Sequence, residues 1–369
     1  MEFPPHRVVE RRQWLAGVLC GRMRDDGTGP FHDEAAVVQS ARAEGVLTLL
    51  ADRLQARSAS DPLRQAVTQA ARGTTVIAML REAECRRVLA LLQSAQIPVL
   101  LLKGSALAWW LYPSPHLREC SDVDLLFASR EAVAQAAELL ATNGYDRGYV
   151  QGEQAYELVC RRMLSASFVL DVDLHWALNN APVFAHAFGF DTLFEASTAL
   201  PALAPNARGL SPAHALAHAC MHRAINLYTG VGDNLKWLFD LHLLAQRLTP
   251  AEWDALRVAC EQTGLGSVCA AGLQAAADVF GDAAPAGMLA TLRSAGDVDG
   301  RAVDGSRVHD WRYMHRMNLR ALPSLRARVH WLWRKLLPTL PHLREMHGRD
   351  KSVPALWAAR ARHLLRKAR

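Results

Sequence analysis

Long apolar runs are missing from this 369-residue chain, although half of its residues are hydrophobic. Since no run approaches the roughly 18 apolar residues that a transmembrane helix needs, nothing is expected to span a membrane. The opening residues, MEFPPHRVVERRQW, have no apolar core behind their charges, so we expect no secretory signal there. The composition is that of a folded protein with room for two or three domains, and a cytoplasmic protein is expected.

Paired cysteines are also missing. The chain has seven cysteines and no CxxC pair among them: Cys20, Cys85, Cys120, Cys160, Cys220, Cys260 and Cys269. This spacing argues against a zinc ribbon and against a disulfide framework, and it suits a reducing compartment. There is no internal repeat and no long low-complexity segment.

Acidic residues are scarce in the last part of the chain. Residues 301–369 contain 17 Lys/Arg and 4 Asp/Glu, a balance of +13 within a net charge of +6, so the other 300 residues carry −7. A basic segment can bind RNA, anionic lipid or an acidic partner, and it can equally be the solvated face of amphipathic helices. An anionic partner for this segment therefore stays open, beside the interpretation as a solvated helical face.

Helical spacing covers most of the chain. Residues 35–95, and the chain from about residue 209 onward, repeat apolar residues three and four apart. Gly and Pro residues at 281–286 and 296–305 are predicted to interrupt these helices, and Pro338 and Pro341 to interrupt the basic segment.

Strand patterns appear in the middle of the chain. IPVLLLKGSALAWWLYP begins as a buried strand, turns at Lys103–Ser105 and continues as a helix that ends before Pro113. SDVDLLFA is a second strand, and SREAVAQAAELLATNGY is a helix with Ser129 as N-cap and Gly144 as its stop. After a loop or hairpin at 148–163, ASFVLDVDLHWAL is a third strand.

Carboxylates recur on two of these strands. Because side chains alternate along a strand, Asp122 and Asp124 are expected to share one side, as are Asp171, Asp173 and His175. Carboxylates that converge raise one another's pKa, and a divalent cation removes that cost. Oxygen ligands are what Mg²⁺ prefers, usually with phosphate oxygens completing its shell.

The turn after the first strand adds groups that suit a phosphate. Glycine lets backbone N–H groups approach closely, and the following helix N-terminus favours negative charge. Lys103 can add a cation and Ser105 a hydroxyl. Neither this turn nor an Asp-x-Asp strand is specific alone, but their order and spacing together are.

Gly104–Ser105, then Asp122 and Asp124 in SDVDLL, then Asp173 in DVDLHW resemble the nucleotidyltransferase superfamily built on the DNA polymerase beta-like fold. The chain resembles in particular an uncharacterised bacterial nucleotidyltransferase family, through LLKGSALAWWLY, LRECSDVDLLF, VDLHWAL, HACMHRAINL and NLKWLFDLHLL. This likeness runs from about residue 35 to 250. Lys103 stands where the wider superfamily has an apolar residue, and Asp171 has no counterpart there.

The resemblance implies an α+β fold in which helices dominate. It implies a small mixed β-sheet nucleotidyltransferase core flanked by N-terminal and C-terminal helical regions. We expect four parts: an N-terminal helical region at 1–95, the catalytic core at 96–205, a helical domain at 206–300 and a basic helical segment at 301–369.

The resemblance also implies a chemistry. A nucleoside monophosphate would pass from an NTP, with ATP expected, to a hydroxyl of a small-molecule or peptide or protein acceptor, and pyrophosphate would leave. The implied cofactor is Mg²⁺ or Mn²⁺, held by the catalytic residues Asp122, Asp124 and Asp173. The residues expected to bind the nucleotide are Lys103, Gly104, Ser105 and Arg118. For Arg118 a surface ion pair with Glu119 is an equal alternative.

Further polar residues are candidates for supporting the carboxylates or for contacting the acceptor: Asp171, His175, His218, His222, Lys236 and Asp240. His175 is expected to order a carboxylate by hydrogen bonding, and Lys236 and Asp240 to pair with each other. His214, His218 and His222 are four residues apart and share a helical stripe, a spacing that can bind Zn²⁺. HACMH lacks the Glu that the HExxH hydrolases place after their first histidine. This favours the interpretation that the three histidines line the seam between the helical and catalytic domains.

Two other functional classes stay open. One is a regulatory nucleotide-binding protein that acts on a partner protein, as in toxin–antitoxin pairs. The other is an RNA-directed nucleotidyltransferase, for which the basic segment would supply the electrostatic footing, although no KH or RRM motif appears.

Overall fold

The computed structural model describes residues 5–22, 33–147, 156–165, 168–295, 302–348 and 350–368. Over this part of the chain the fold is α+β and dominated by helices, which confirms the predicted fold class. The α-helices are α1 (Pro5–Leu19), α2 (Glu34–Ala43), α3 (Leu47–Arg53), α4 (Pro62–Ser94), α5 (Lys103–Trp110), α6 (Arg130–Ala141), α7 (Pro182–Ala185), α8 (Phe190–Glu195), α9 (Pro212–Thr229), α10 (Leu235–Arg247), α11 (Pro250–Thr263), α12 (Gly266–Phe280), α13 (Met288–Ser294), α14 (Trp311–Ala321), α15 (Leu325–Leu336), α16 (Leu340–His347) and α17 (Val353–Ala368). The strands are β1 (Leu100–Leu101), β2 (Val123–Leu126), β3 (Asp146–Arg147), β4 (Glu157–Ser165), β5 (Phe168–His175), β6 (Thr198–Ala199) and β7 (Arg208–Gly209).

The described strands form one mixed sheet with the order β3-β4-β5-β2-β1-β7-β6. In its middle, β2 and β5 run parallel, while β1 pairs antiparallel with β2 and β4 pairs antiparallel with β5. The parallel register sets Asp124 beside Asp173 and Leu126 beside His175. Because side chains alternate along both strands, the two aspartates project from the same face of the sheet at the same level.

Two apolar cores cover the two faces of β2, whose four residues are all buried. Val123 and Leu125 pack into a core with residues of α4 and α6. Leu126, on the other face, belongs to the larger core built from α1 to α3, α5 and α9 to α12. Strands covered on both faces read as continuous apolar runs, which explains why Asp124 stands out in SDVDLLFA. Its carboxylate therefore faces α9 and α10.

Local signals in the sequence place several elements correctly. The Ser129 hydroxyl accepts a hydrogen bond from the Ala132 N–H at 3.2 Å and caps α6, as predicted. Gly144 follows that helix with a φ of 84°, in the left-handed region that favours glycine. Among the described residues, no helix combines the length and apolar content needed to cross a bilayer.

Other details differ from the predictions. Pro341 lies in the first turn of α16, where proline is tolerated, so of these two prolines only Pro338 lies between helices. For the predicted loop or hairpin at 148–163, the antiparallel pairing of β3 with β4 supports the hairpin: its second half is strand β4, while residues 148–155 lie outside the described residues. Most of the predicted break at 296–305 also lies outside them. The four-part division of the chain stays a prediction.

Candidate active site

Two aspartates and a histidine converge where β2 and β5 run side by side. Ligand atoms of Asp124, Asp173 and His175 all lie within 4.8 Å of one another. Asp124 and His175 are each only 2% exposed. Asp122, two residues before Asp124, lines the same cleft as Asp124. Two carboxylates and an imidazole are donors that could hold a divalent cation.

The electrostatics of Asp173 and Asp122 show that this cluster is short of positive charge. Burial, and then the neighbouring Asp124, Asp122 and Glu157, raise the pKa of Asp173 to about 8. Burial and the Asp124 carboxylate raise the pKa of Asp122 as well. Both raised pKa values mean that the ionised carboxylates are unfavourable in this environment. A bound divalent cation would relieve that penalty.

Asp124 behaves differently because it has cationic and hydrogen-bonding partners. Burial alone would raise its pKa, but the Lys103 ammonium and His175 more than offset this, and its pKa is lowered. Lys103 Nζ lies 2.6 Å from Asp124 Oδ1, and His175 Nε2 lies 3.0 Å from the same oxygen. Asp124 is thus ionised and held in one orientation.

Lys103 reaches Asp124 from a strained backbone. Its φ of 49° lies in the left-handed region, which residues other than glycine rarely adopt. Such a conformation persists only where the surroundings hold it. Here the ion pair to β2 fixes the side chain at the start of α5, so that the ammonium lines the cleft beside the carboxylates.

Glu157 is a site residue that the sequence interpretation missed. It lies opposite His175 in the antiparallel register of β4 and β5, and its Oε2 is 3.4 Å from His175 Nδ1. His175 thus lies between Glu157 and Asp124, in agreement with the expected role of ordering a carboxylate. A hydrophobic strand pattern around YELVC was the available signal, but the prediction placed this segment within a loop or hairpin at 148–163.

The Ser105 hydroxyl lies behind the acidic strand. It accepts a hydrogen bond from the Asp124 N–H at 3.2 Å and donates to the Asp122 carbonyl at 3.4 Å. These bonds tie the start of α5 to the acidic strand. A hydrogen bond from Ser105 to a phosphate would require this hydroxyl to give up its donated bond to the Asp122 carbonyl, so holding the strand is the role that the geometry favours.

Gly104 is required by close packing. A Cβ at this position would lie 2.6 Å from Cys120 Sγ and 2.8 Å from Arg118 Nη1, closer than real contacts allow. Gly104→Ala is therefore expected to lower the free energy of unfolding by about 1–3 kcal/mol, measured by urea denaturation.

The matched control for this substitution is Gly73→Ala. Gly73 lies inside α4, and a Cβ there meets nothing within 4 Å. It is expected to raise the free energy of unfolding by up to about 1 kcal/mol, because alanine favours a helix. Equal effects of the two substitutions would contradict the packing argument.

Arg118 is buried, with 6% of its surface exposed, and its guanidinium binds Asp240. Its Nε and Nη2 donate to the Asp240 carboxylate at 2.9 and 2.6 Å, and Nη1 donates to the Glu119 carbonyl at 2.6 Å. The Tyr112 hydroxyl adds a bond to Asp240 Oδ1 at 2.7 Å. The expectation of a surface ion pair with the Glu119 carboxylate is therefore wrong, because the acidic partner is the buried Asp240 on α10.

The expected pair of Lys236 with Asp240 is wrong for the same reason. Asp240 is engaged by Arg118 and Tyr112, and no carboxylate within the described ranges lies within ion-pair distance of the Lys236 ammonium. Burial, and then Arg118, lower the pKa of Lys236. This ammonium lines the cleft and is available to an anionic ligand.

A single cleft of about 890 Å³, including its solvent-open part, joins most of the predicted residues. Trp110 and Trp237 contribute aromatic surface to it. Its lining includes nine of the residues singled out from the sequence: Lys103, Gly104, Arg118, Asp122, Asp124, His218, His222, Lys236 and Asp240.

Asp171 lies apart from the cluster. Its carboxylate accepts two hydrogen bonds from Arg161 on β4, at 2.8 and 3.1 Å. The cluster of possible metal ligands contains Asp124, Asp173 and His175 but not Asp171. Asp171, Asp173 and His175 are nevertheless two residues apart in turn along β5. The expected face-sharing therefore does not bring Asp171 to the cation site, because it lies two residues, about 7 Å, before Asp173 along the strand and its carboxylate is engaged by Arg161.

The histidine stripe divides into two parts. His218 and His222 line the cleft, while His214 Nδ1 lies 2.8 Å from the Ser211 hydroxyl, away from it. His218 Nε2 is 3.1 Å from the Leu178 carbonyl, and the His222 ring stands edge-on to Trp237 at 5.2 Å. Among the described residues these histidines belong to no group of three metal ligands.

His218 is expected to make the folded state sensitive to acid. Burial, and then the Lys103 charge, lower its pKa to about 4 from an ordinary 6.5. The unfolded chain takes up a proton on this side chain near pH 6.5, and the folded chain only near pH 4. Stability present above pH 6.5 is therefore lost as the pH falls, by up to about 3 kcal/mol at pH 4.

The measurement is the free energy of unfolding of wild type and His218→Asn, by urea denaturation between pH 7 and pH 4. The difference between the two proteins is expected to shift in favour of the variant over this window. Curves that stay parallel would show that His218 does not carry the effect.

The comparisons with known proteins agree with this geometry. A family model described as "Uncharacterised nucleotidyltransferase" matches residues 32–281, which is more than half of the chain and runs from α2 to the end of α12. No curated protein matches the chain at a significant level. The matched region contains the acidic cluster, the Lys103 turn and the helices that close the cleft. The chain belongs to the uncharacterised nucleotidyltransferase family.

Proposed function

We propose that this protein is a metal-dependent nucleotidyltransferase. It transfers a nucleoside monophosphate from an NTP, with ATP as the default donor, to a hydroxyl of a small-molecule or peptide or protein acceptor, and it releases pyrophosphate. The parallel register that sets Asp173 beside Asp124, which lines the cleft, carries this proposal. Family membership supports the class of chemistry but does not identify the acceptor. The identity of the acceptor has to be inferred from the residues that line the cleft.

The residues present fit a divalent cation, Mg²⁺ or Mn²⁺. It would be held by Asp122, Asp124 and Asp173, because carboxylate oxygens suit a hard cation. The ionised forms of Asp122 and Asp173 are also unfavourable without a cation. When bound, the cation would neutralise these carboxylates and polarise the phosphates. His175 Nε2 lies at hydrogen-bond distance from Asp124 Oδ1, so we assign it to orienting that carboxylate.

The reaction itself needs little more than positioning and charge. The acceptor oxygen forms a bond to the α-phosphorus while the bond from that phosphorus to the bridging oxygen of pyrophosphate breaks. Asp173, which has no ion-pair partner among the described residues, would take the proton of the acceptor hydroxyl. Lys103 would lie beside the phosphates, and Lys236 would contact an anionic group of the nucleotide or acceptor from the other wall.

The experiment that tests this proposal follows two labels. The protein is incubated with Mg²⁺ and ATP labelled at the α-phosphate or at the γ-phosphate, together with fractions of small molecules and proteins from a cell extract. Transfer of the α-label with release of pyrophosphate is expected. Transfer of the γ-label would identify a phosphotransferase and contradict the proposal.

A further inference from the structure

Helix α15 turns an apolar stripe towards solvent. Leu325, Val329, Leu332, Trp333 and Leu336 are all exposed, Leu325 by 75% and Trp333 by 61%. Their spacing of three and four residues puts them on one face of the helix. A helix on a protein surface normally turns its polar side to solvent and its apolar side to the core. In α15 the apolar side faces solvent.

The opposite face of α15 attaches the helix to the protein. Trp331 is buried, and its ring lies 5.2 Å from His315 of α14. The Tyr228 hydroxyl of α9 lies 2.9 Å from His315 Nδ1, so this contact leads into the helical core. The apolar stripe therefore points away from the body of the protein. Leu337, just after the helix, and Leu340, the first residue of α16, are exposed as well.

Cations border the stripe on both sides. At about 100° per residue, Arg326 lies along one edge and Arg328 along the other; Lys335 is on the Arg328 side, with its ammonium 5.4 Å from the centre of the Trp331 ring. All three are exposed, and the helix sequence LRARVHWLWRKL contains no acidic residue. The whole segment 301–369 has a balance of +13. An apolar face between two basic edges is the pattern of helices that lie in a membrane interface.

We propose that α15 docks flat on the surface of a bilayer that contains anionic phospholipids. The stripe enters the boundary between headgroups and acyl chains, and the bordering cations meet the lipid phosphates. A nucleic acid would satisfy these cations but would leave the leucines and Trp333 in water, so the apolar stripe favours lipid. This proposal is independent of the chemistry in the cleft, since α15 contributes no residue to it.

The test is co-sedimentation of the full chain with vesicles of phosphatidylcholine, alone or with added phosphatidylglycerol. Binding is expected only with phosphatidylglycerol and is expected to weaken as salt rises. Leu332→Ser/Trp333→Ser should weaken binding at least about tenfold. Arg326→Gln/Arg328→Gln should weaken it about fivefold per charge removed. All substitutions lie on exposed positions, and thermal melting checks that the variants fold.

The matched control is Val76→Ser/Met79→Ser, which removes two exposed apolar side chains from α4 and should leave vesicle binding unchanged. Absence of wild-type binding to phosphatidylglycerol vesicles would overturn the proposal. So would equal binding by the Leu332→Ser/Trp333→Ser variant, because charge alone would then account for it. Binding of a single-stranded RNA in preference to the vesicles would also overturn it, in favour of a nucleic-acid surface.

Discussion

Replacing Asp173 with asparagine is expected to weaken divalent-cation binding at least about 100-fold, more than the loss of an outer-shell partner does. The same change is expected to stabilise the metal-free protein by about 1–2 kcal/mol, as substitutions at strained active sites can. The reason for the gain is repulsion: burial and three neighbouring carboxylates penalise the ionised Asp173. A purely structural carboxylate would show the opposite sign, because its removal would cost stability.

Two measurements check this pair of effects. Mn²⁺ binding is followed by the loss of the free-ion signal in electron paramagnetic resonance, and stability by urea denaturation with EDTA present. Asp171→Asn is the matched control, two residues earlier on β5. It should keep the affinity for Mn²⁺ and lose no more than about 1 kcal/mol, since its pair with Arg161 is partly exposed. Retained Mn²⁺ binding in Asp173→Asn would remove Asp173 from the site.

Asp240→Ala is expected to lower the free energy of unfolding by about 3–5 kcal/mol, the cost of leaving a buried charge without its partner. The Arg118 guanidinium would lose its three hydrogen bonds to Asp240 and remain buried beside Cys120. The Tyr112 hydroxyl would lose its acceptor at the same time. Because this cluster joins the segment before β2 to α10, the cleft should also lose affinity for nucleotide.

The double substitution Arg118→Met/Asp240→Leu separates the two causes. Removing both charges should restore more than half of the lost stability, because no uncompensated charge remains. Urea denaturation of wild type, the single variant and the double variant gives the comparison. A loss below about 1 kcal/mol in Asp240→Ala would show that the pair behaves like an exposed one. A double variant as unstable as the single one would assign the loss to packing.

Features that depend on neighbouring residues were predictable from the sequence. The Ser129 cap, the α6 helix and the acidic strand β2 follow from hydrogen-bonding side chains and from apolar spacing within a few residues. Alternation along a strand also predicted that Asp122 and Asp124 share a side. That Asp173 joins Asp122 and Asp124 came from the family resemblance, since alternation says nothing about which strands are adjacent; the pairing of β2 with β5 was not predicted.

Contacts between distant segments were not predictable in this way. Arg118 and Asp240 are 122 residues apart, and sequence proximity pointed instead to Glu119 and Lys236 as their partners. Burial decides between such partners, because a guanidinium taken out of water needs a carboxylate that is also buried. Glu157 was missed for a related reason: only the register of β4 against β5 brings it to His175.

The positive φ of Lys103 also lies beyond local rules. The sequence places a turn at Lys103–Ser105, and glycine is the residue type that ordinarily adopts a left-handed conformation in a turn. In the structure Lys103 adopts it, while Gly104 is helical and needed for its small size. The tertiary contacts of the Lys103 ammonium with β2 determine this choice.

One measurement tests the central claim most directly: calorimetric titration of ATP into the wild-type protein with and without Mg²⁺, and into Asp122→Asn/Asp124→Asn. A metal-bridged nucleotide at the acidic cluster predicts stoichiometric binding to wild type that requires Mg²⁺ and is lost in the folded double variant. GTP, CTP and UTP, titrated in the same way, identify the donor. Failure of a well-folded wild type to bind any of these nucleotides with Mg²⁺, or binding unchanged in the double variant, would contradict the account.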